Sequence, residues 1–390
     1  AMIPRYDPTY SSGDIVESLR LGAGGTAESD LCRRLRDLYR VKHVFAFDSG
    51  RSALFAALKA HGRPGGVLMP AYTCIVVPEA VRSAGYRPVF ADIDLRTLQA
   101  SGQDLARAAA GDTTVVLATH LFGAPCDIEG IERLGRDRGL LVIEDAAPAL
   151  GLSWRGRPVR GYGHATVVSF DATKAISGEK GGALLTDDDA LAAKVGRLLE
   201  EGTRARGRWR LFVRAAARKA GTRRPVYPLV LAAYRRLGKE VMVEVAASGR
   251  DDPRDFLRRA SGFSCALALL QLDRLPENLA RRRRIAAIYT RELEGHPALT
   301  VPAVDPQSEA AWIQFPVMAE DKRGFYRYMQ ARGVDLSWTY RYSCPVTYGL
   351  EGFPNARRAA ETVLGLPTYP SLAEDEARRI SEIARAYLPA

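Results

Sequence analysis

From residue 41 to about residue 200 the chain alternates between two hydrophobic periods. The runs "VKHVFAF", "GVLMPA", "RPVFADID", "TTVVLATHLF" and "LLVIEDAA" have the length and composition of strands. Between them, "GRSALFAALKA", "CIVVPEAVRSAG", "GQDLARAAA" and "DIEGIERLGRDRG" repeat apolar positions at helical spacing. This alternation predicts an α/β fold with a mostly parallel central sheet flanked by helices. In such sheets ligands gather beyond the carboxyl ends of the strands, so the polar residues just past them are the first candidates for chemistry. The helix-like "ALAAKVGRLLEEG" is followed by a basic stretch, and helical spacing returns in "CALALLQLDRLPENLARRRRIAAIYTREL". The segments "AAWIQFPVMAED", "GFYRYMQARGVDLSW" and "EARRISEIARAYL" predict a smaller α/β unit. The expected organisation is a large domain over 1–255 and a small C-terminal domain over 256–390.

Composition changes this picture in one place. The 390 residues are 47% hydrophobic and 26% charged, the balance of a globular protein with a sizeable core. No run approaches the ~18 uncharged apolar residues of a membrane span. Ala1 before Met2 is left out of the fold, and no apolar leader follows Met2, so a cytoplasmic setting is expected. Five scattered cysteines form no CxxC pair and five histidines form no cluster, so neither a disulfide framework nor a metal site is expected. The net charge is +11, but residues 201–240 hold twelve Arg/Lys against Glu201 and Glu240. Ten of the eleven net charges therefore lie in this one stretch. No zinc-finger or RNP signature accompanies it, and no nucleic-acid partner is expected.

Three strand ends carry candidate groups. In "FDSGRSAL", Asp48-Ser49-Gly50-Arg51-Ser52 joins a strand to a helix. Backbone N–H groups, hydroxyls and the positive helix end converge there, which suits a phosphate; plain N-capping by Asp48 or Ser49 is the alternative. In "LLVIEDAAPALG", Asp145 leaves a buried strand and needs a cation or several donors. In "VVSFDATKAISGEKGGALLT", Lys174 sits in a polar turn between two apolar strands. An amine, a buried carboxylate and a phosphate cradle are what pyridoxal phosphate requires: a Schiff base, a partner for the ring nitrogen and an anchor.

These segments resemble the DegT/DnrJ/EryC1/StrS family of sugar aminotransferases, which have the type I aspartate-aminotransferase fold. The resemblance spans nearly the whole chain. It is carried by "SFDATKAISGEKGGALLT", "VIEDAAPALG", "DSGRSALFAAL", "MPAYTCIVVPEAVRSAGYRPVFADID", "THLFGAPCDIEGI" and "LPTYPSLAEDEARRI". It implies a pyridoxal 5'-phosphate enzyme whose large domain binds the cofactor. Lys174 would be the Schiff-base lysine and proton carrier, and Asp145 the partner of the pyridinium nitrogen. Ser49, the backbone of Gly50 and Arg51, and the Ser169 hydroxyl would hold the phosphate. It also implies an amino-acid donor such as glutamate, a keto acceptor, commonly a nucleotide-activated sugar, and a homodimer.

Some positions depart from the family's pattern. Cys74 stands where the family commonly stacks an aromatic ring on the cofactor. Pro148 replaces a frequent Gln or His, Ala175 the usual Asn, and Leu257 an Asn offered to the neighbouring subunit's phosphate. The usual GEGG reads Glu179-Lys180-Gly181-Gly182. With Lys174 and Asp145 kept, turnover is expected; a binding or regulatory protein that has lost turnover is the alternative. His120 follows a strand and would either line the site or serve as a hydrogen-bonded structural residue. Trp338, Tyr340 and Tyr342 fall on alternate positions, which suits packing on one strand face or lining a substrate pocket.

The basic stretch 204–240, within an enlarged insertion over about 204–255, interleaves its cations with apolar residues. Its helices would break at Gly221 and Pro225. Three readings stay open: a solvated face packed on the protein, a helix on an anionic membrane surface, or arginines that gather a diphosphate-bearing substrate.

Overall fold

The computed structural model describes residues 2–160, 162–204, 207–236, 256–340 and 344–389. Two helices, α1 (Ser12–Ala23) and α2 (Ala27–Tyr39), precede β1 (His43–Phe47) and α3 (Gly50–His61). Strands and helices then alternate as β2 (Gly66–Pro70), α4 (Val76–Ser83), β3 (Arg87–Ala91), α5 (Gly102–Ala108), β4 (Thr113–Thr119), α6 (Ile128–Arg138) and β5 (Leu141–Asp145). A short hairpin, β6 (Ser153–Trp154) and β7 (Arg157–Pro158), leads to β8 (Ala165–Ser169), β9 (Gly182–Thr186) and α7 (Asp189–Glu201). The basic stretch holds β10 (Thr203–Arg204), α8 (Arg208–Gly221) and α9 (Tyr227–Arg236), with the break where Gly221 and Pro225 predict it.

The remaining elements are β11 (Arg258–Arg259), α10 (Gly262–Leu269), α11 (Leu275–Leu293), β12 (Leu299–Thr300), β13 (Ser308–Glu309) and β14 (Phe315–Ala319). They end with α12 (Lys322–Ala331), α13 (Cys344–Tyr348), α14 (Pro354–Thr362), β15 (Val363–Leu366) and α15 (Glu374–Arg385).

The large sheet has the order β10-β11-β1-β9-β8-β5-β4-β2-β3. Its run from β8 to β3 is parallel, as the alternation predicts, while β9 enters antiparallel between β1 and β8. Side chains alternate across β5. Leu141 and Ile143 join the core shared with α3, α4 and α7, whereas Val142 joins the core beneath α5 and α6. The same alternation sends Asp145 to the α3 side and Glu144 to the other.

A smaller antiparallel sheet, β12-β14-β15, packs with α11, α12 and α15 around Tyr289, Phe315, Phe325 and Leu366. The N-terminus reaches it: Ile3 is buried there and its N–H donates to Gly333 O at 2.8 Å. Residues 258–259 instead pair with the large sheet, and α10 packs on α1 and α2. Residues just past the expected 255/256 boundary thus pair with the large sheet and the helices beside it.

Candidate active site

Three chain segments meet at the carboxyl end of the sheet. Ser49 caps α3 by accepting the Ser52 N–H at 3.2 Å, and Asp48 accepts the Ser52 hydroxyl at 2.6 Å. The N-capping reading of "DSGRS" is observed, and the cap orients the first N–H groups of α3 toward the strand ends. Ser49 also bridges Gly181, which brings the start of α3 against the end of the lysine turn. A Cβ on Gly182 would stand 2.5 Å from the Gly50 nitrogen, so only glycine permits this approach. A Cβ on Gly50 would meet the Ser169 Cβ at 3.3 Å, which puts the Ser169 side chain beside the cap. The Arg51 guanidinium turns away, its Nη1 lying 3.7 Å from the Glu79 carboxylate.

Asp145 is buried, 7% exposed, and accepts the Ala147 N–H at 3.2 Å. Burial raises its pKa, partly offset by that N–H and by the nearby Lys174 ammonium. Lys174 is within electrostatic reach but forms no ion pair with it among the described residues. The half-buried Cys74 lies in the same field: burial raises its thiol, while Lys174, Asp145 and Arg51 all act on it. Thr119, in register with Asp145 on the neighbouring strand, has a buried hydroxyl with no partner among the described residues.

The turn that carries Lys174 is held at several points. Its ends are closed by Phe170 N–H to Gly181 O at 2.8 Å, and Lys174 N–H donates to Asp171 O at 3.0 Å. Asn278 Nδ2 donates to Ala175 O at 2.7 Å, and Gln271 Nε2 to Ser177 O at 2.7 Å. Glu179, fully buried at a left-handed φ of 63°, accepts the Tyr10 hydroxyl. It also pairs with Arg218 at 2.9 Å and Arg214 at 3.2 Å, both from α8. In the sequence Glu179 stands only as part of a glycine motif, and no local pattern signals these three partners. The absence of any acid between Glu201 and Glu240 was the one available sign that α8 needs carboxylates from elsewhere.

The aromatic candidates separate. Tyr340 reaches the site: it packs edge-on against Tyr72 at 5.4 Å and beside Phe122 at 5.8 Å. Burial, then Cys74 and Asp145, raise its hydroxyl well above the usual range. Trp338 instead packs against Tyr326 at 5.3 Å, with the Lys322 ammonium 4.9 Å over its ring. The expected single strand face is not formed, because residues 339–340 are a turn and Tyr340 is left-handed, φ 50°. Tyr342 lies outside the described residues. His120 follows β4, and its N–H donates to Asp145 O at 3.2 Å. Its Nδ1 accepts the Cys126 N–H at 3.2 Å, and burial pushes its pKa down to about 4, so the ring is neutral. Leu257 packs on the large core rather than toward the cap.

The likenesses agree with this geometry. The DegT/DnrJ/EryC1/StrS aminotransferase family model matches residues 13–385. The spore coat polysaccharide biosynthesis protein SpsC of Bacillus subtilis (strain 168) is 30% identical over 360 residues, 88% of this chain and 85% of that protein. The dTDP-4-dehydro-2,3,6-trideoxy-D-glucose 4-aminotransferase of Saccharopolyspora spinosa is 29% identical over 352 residues, covering 87% and 83%. The crystal structure of DesI in the presence of its TDP-sugar product superposes with a TM-score of 0.74 at 26% identity, covering 97% of this chain and 91% of that one. The chain belongs to the DegT/DnrJ/EryC1/StrS aminotransferase family.

Proposed function

We propose that the protein is a pyridoxal-phosphate-dependent aminotransferase. It moves an amino group from an amino acid such as glutamate to a keto group on a nucleotide-activated sugar. The observation that carries this reading is the juxtaposition of Lys174, Asp145 and the capped start of α3 at one mouth of the sheet. The residues present fit the cofactor. Asp145 is a buried carboxylate with no bonded cation among the described residues, and the close Gly50–Gly182 approach sets the capped start of α3 against the end of the lysine turn. When bound, pyridoxal phosphate supplies an aldehyde that condenses with amines and a protonated ring that withdraws electrons.

The chain's own groups then have definite tasks. Asp145 would keep the ring nitrogen protonated, a pairing that would also stabilise its own ionised form. The Lys174 amine would hold the cofactor and would carry the substrate proton. Ser49, the first N–H groups of α3 at Gly50 and Arg51, and the Ser169 hydroxyl hold the phosphate. Cys74 would line the cofactor's side of the site, and Tyr340 would cover the mouth against water. His120 supports the strand end beneath Asp145. The keto and amino substrates come from solution, and the working unit is a cytoplasmic homodimer.

A second reading, a binding protein without turnover, is favoured by the departures at Cys74, Pro148, Ala175 and Leu257. One experiment separates the two. Purified protein loaded with cofactor is treated with borohydride and mapped by mass spectrometry, before and after glutamate. The expected adduct is on Lys174, it disappears in Lys174→Ala with the fold kept by circular dichroism, and glutamate discharges the visible absorbance. An adduct on Lys180 overturns the assignment, and an absorbance unmoved by any amino donor favours the binding protein.

A further inference from the structure

The cations of the basic stretch fall into two sets. Arg214, Arg218, Lys219 and Arg224 point inward to carboxylates of the body: Glu179, Glu179, Asp7 and Glu376. Arg208, Arg210, Arg223 and Arg236 are exposed and have no carboxylate partner among the described residues. None is available nearby in the chain, since no Asp or Glu occurs between Glu201 and Glu240.

The apolar residues divide in the same way. On α8, Leu211 and Ala215 are buried and join Tyr10, Ile15 and Phe263, and the capping Thr222 is buried too. The opposite stripe, Trp209, Val213, Ala217 and Ala220 at helical spacing, is exposed. Trp209 is 60% and Val213 61% exposed, and on α9 Leu229 is 69% and Tyr234 39% exposed, while Tyr227 and Leu231 are buried. A solvated face would carry polar residues where these stand. Large exposed side chains grouped on two consecutive helices mark a contact.

We propose that the outward face of α8 and α9 docks the enzyme on an anionic lipid surface. The chemistry is complementary on both counts. Unpaired guanidinium groups meet phosphate headgroups, and Trp209, Val213 and Leu229 enter the boundary beneath them. Tryptophan and tyrosine favour that boundary because one end is apolar and the other polar. A second copy of this chain seated here by two-fold symmetry would set unneutralised arginines against one another. A diphosphate-bearing substrate fits less well, because Arg214 and Arg218, the cations beside the lysine turn, are already paired with Glu179. The inward ion pairs are what allow the outward face to be so apolar: they hold α8 to the body without using its outer side. Because Glu179 lies in the lysine turn, the docked helix is also tied directly to the active site.

The test uses full-length protein, vesicles of phosphatidylcholine with and without phosphatidylglycerol, and sedimentation at low and high salt. Binding is expected only with phosphatidylglycerol, falling as salt rises. Each cation near such a surface strengthens binding about fivefold. The triple variant Arg208→Gln/Arg210→Gln/Arg236→Gln is therefore expected to bind about a hundredfold more weakly. Trp209→Ser/Leu229→Ser is expected to lose binding while turnover of a soluble keto substrate is unchanged. No binding at low salt, equal binding to phosphatidylcholine alone, or full binding by the arginine variant overturns the proposal. So does a Trp209→Ser/Leu229→Ser protein that elutes as a smaller oligomer, since the face would then seat a second copy.

Discussion

Asp145 and Glu179 are both buried carboxylates within a few residues of the lysine turn or the strand beside it, and they are treated in opposite ways. Glu179 is saturated by the Tyr10 hydroxyl and by Arg214 and Arg218. Asp145 accepts one backbone N–H and sees Lys174 only from a distance. A buried charge without bonded partners is costly, so folding alone would not retain Asp145 in this state. Glu179 is a fastening within the fold; Asp145 is the carboxylate that the proposed cofactor would pair with.

The largest expected effect tests that division on the chemistry. Asp145→Asn keeps a hydrogen-bonding group of the same size but cannot offset a positive ring nitrogen. Turnover is expected to fall by roughly two to three orders of magnitude, the scale of losing one preorganised electrostatic partner. Thermal stability is expected to hold or rise, because a desolvated carboxylate has been removed. Steady-state kinetics and a melting curve on the same preparation check both. Near-normal turnover would mean that Asp145 is not the ring's partner.

Glu179→Gln probes the opposite case. Removing one side of a buried ion pair leaves the other uncompensated, typically at about 3–5 kcal/mol. Arg218 and Arg214 keep partial solvent access, with side-chain exposures of 22% and 40%, so the lower end is expected. The melting temperature should fall clearly, with α8 loosened from the body, and limited proteolysis within 207–236 should accelerate. An unchanged melt would make Glu179 a spectator and remove the link between α8 and the lysine turn.

How much of this was legible in the sequence depends on the range of the interaction. Strand–helix alternation from residue 41 and the group just past each strand are local signals, and the sheet and the positions of Asp145 and Lys174 follow from them. The Glu179 cluster joins residues separated by 169 and 39 positions, which no local period encodes. The alternation at Trp338 and Tyr340 misled because alternate spacing implies one face only while the backbone is extended, and Tyr340 is left-handed. Residues just past the expected 255/256 boundary show a similar limit. Arg258 and Arg259 form only two residues of strand, too short to show a pattern, yet they pair with β10 and β1.

Glu144 extends the comparison to pH. It is buried beside Asp145 but faces the other side of the sheet. It accepts Thr166 Oγ1–H and Arg160 N–H, both at 2.7 Å. Burial raises its pKa from 4.5 to about 7, against the opposing effect of those two donors. The folded protein therefore binds a proton that the unfolded chain has released between these values. Stability is full below the ordinary carboxylate range and declines as pH rises toward 7. Glu144→Gln should flatten that slope, changing the stability difference by roughly 2–3 kcal/mol across the window. Chemical denaturation at pH 5, near the lower end of that window, and at pH 8, about one unit above its upper end, measures it. A variant with the wild-type slope would assign the titration to other groups.

The smallest expected effect is the most discriminating for the open side of the comparison. Thr119 is in register with Asp145 on the adjoining strand, and its hydroxyl is buried without a partner among the described residues. An unsatisfied buried hydroxyl costs roughly 1–3 kcal/mol, so its retention beside Asp145 points to the same ligand. Thr119→Val preserves the shape of the side chain and removes only the oxygen. In protein freed of cofactor, stability is expected to stay level or rise by about 1 kcal/mol, since the desolvation cost disappears. In loaded protein the same change should weaken cofactor retention about fivefold, the loss of one hydrogen bond of about 1 kcal/mol. Dialysis of the wild type and the variant against cofactor-free buffer, followed by residual visible absorbance, separates the two states. If Thr119→Val destabilises the cofactor-free protein, the hydroxyl is satisfied within the fold and takes no part in holding the cofactor.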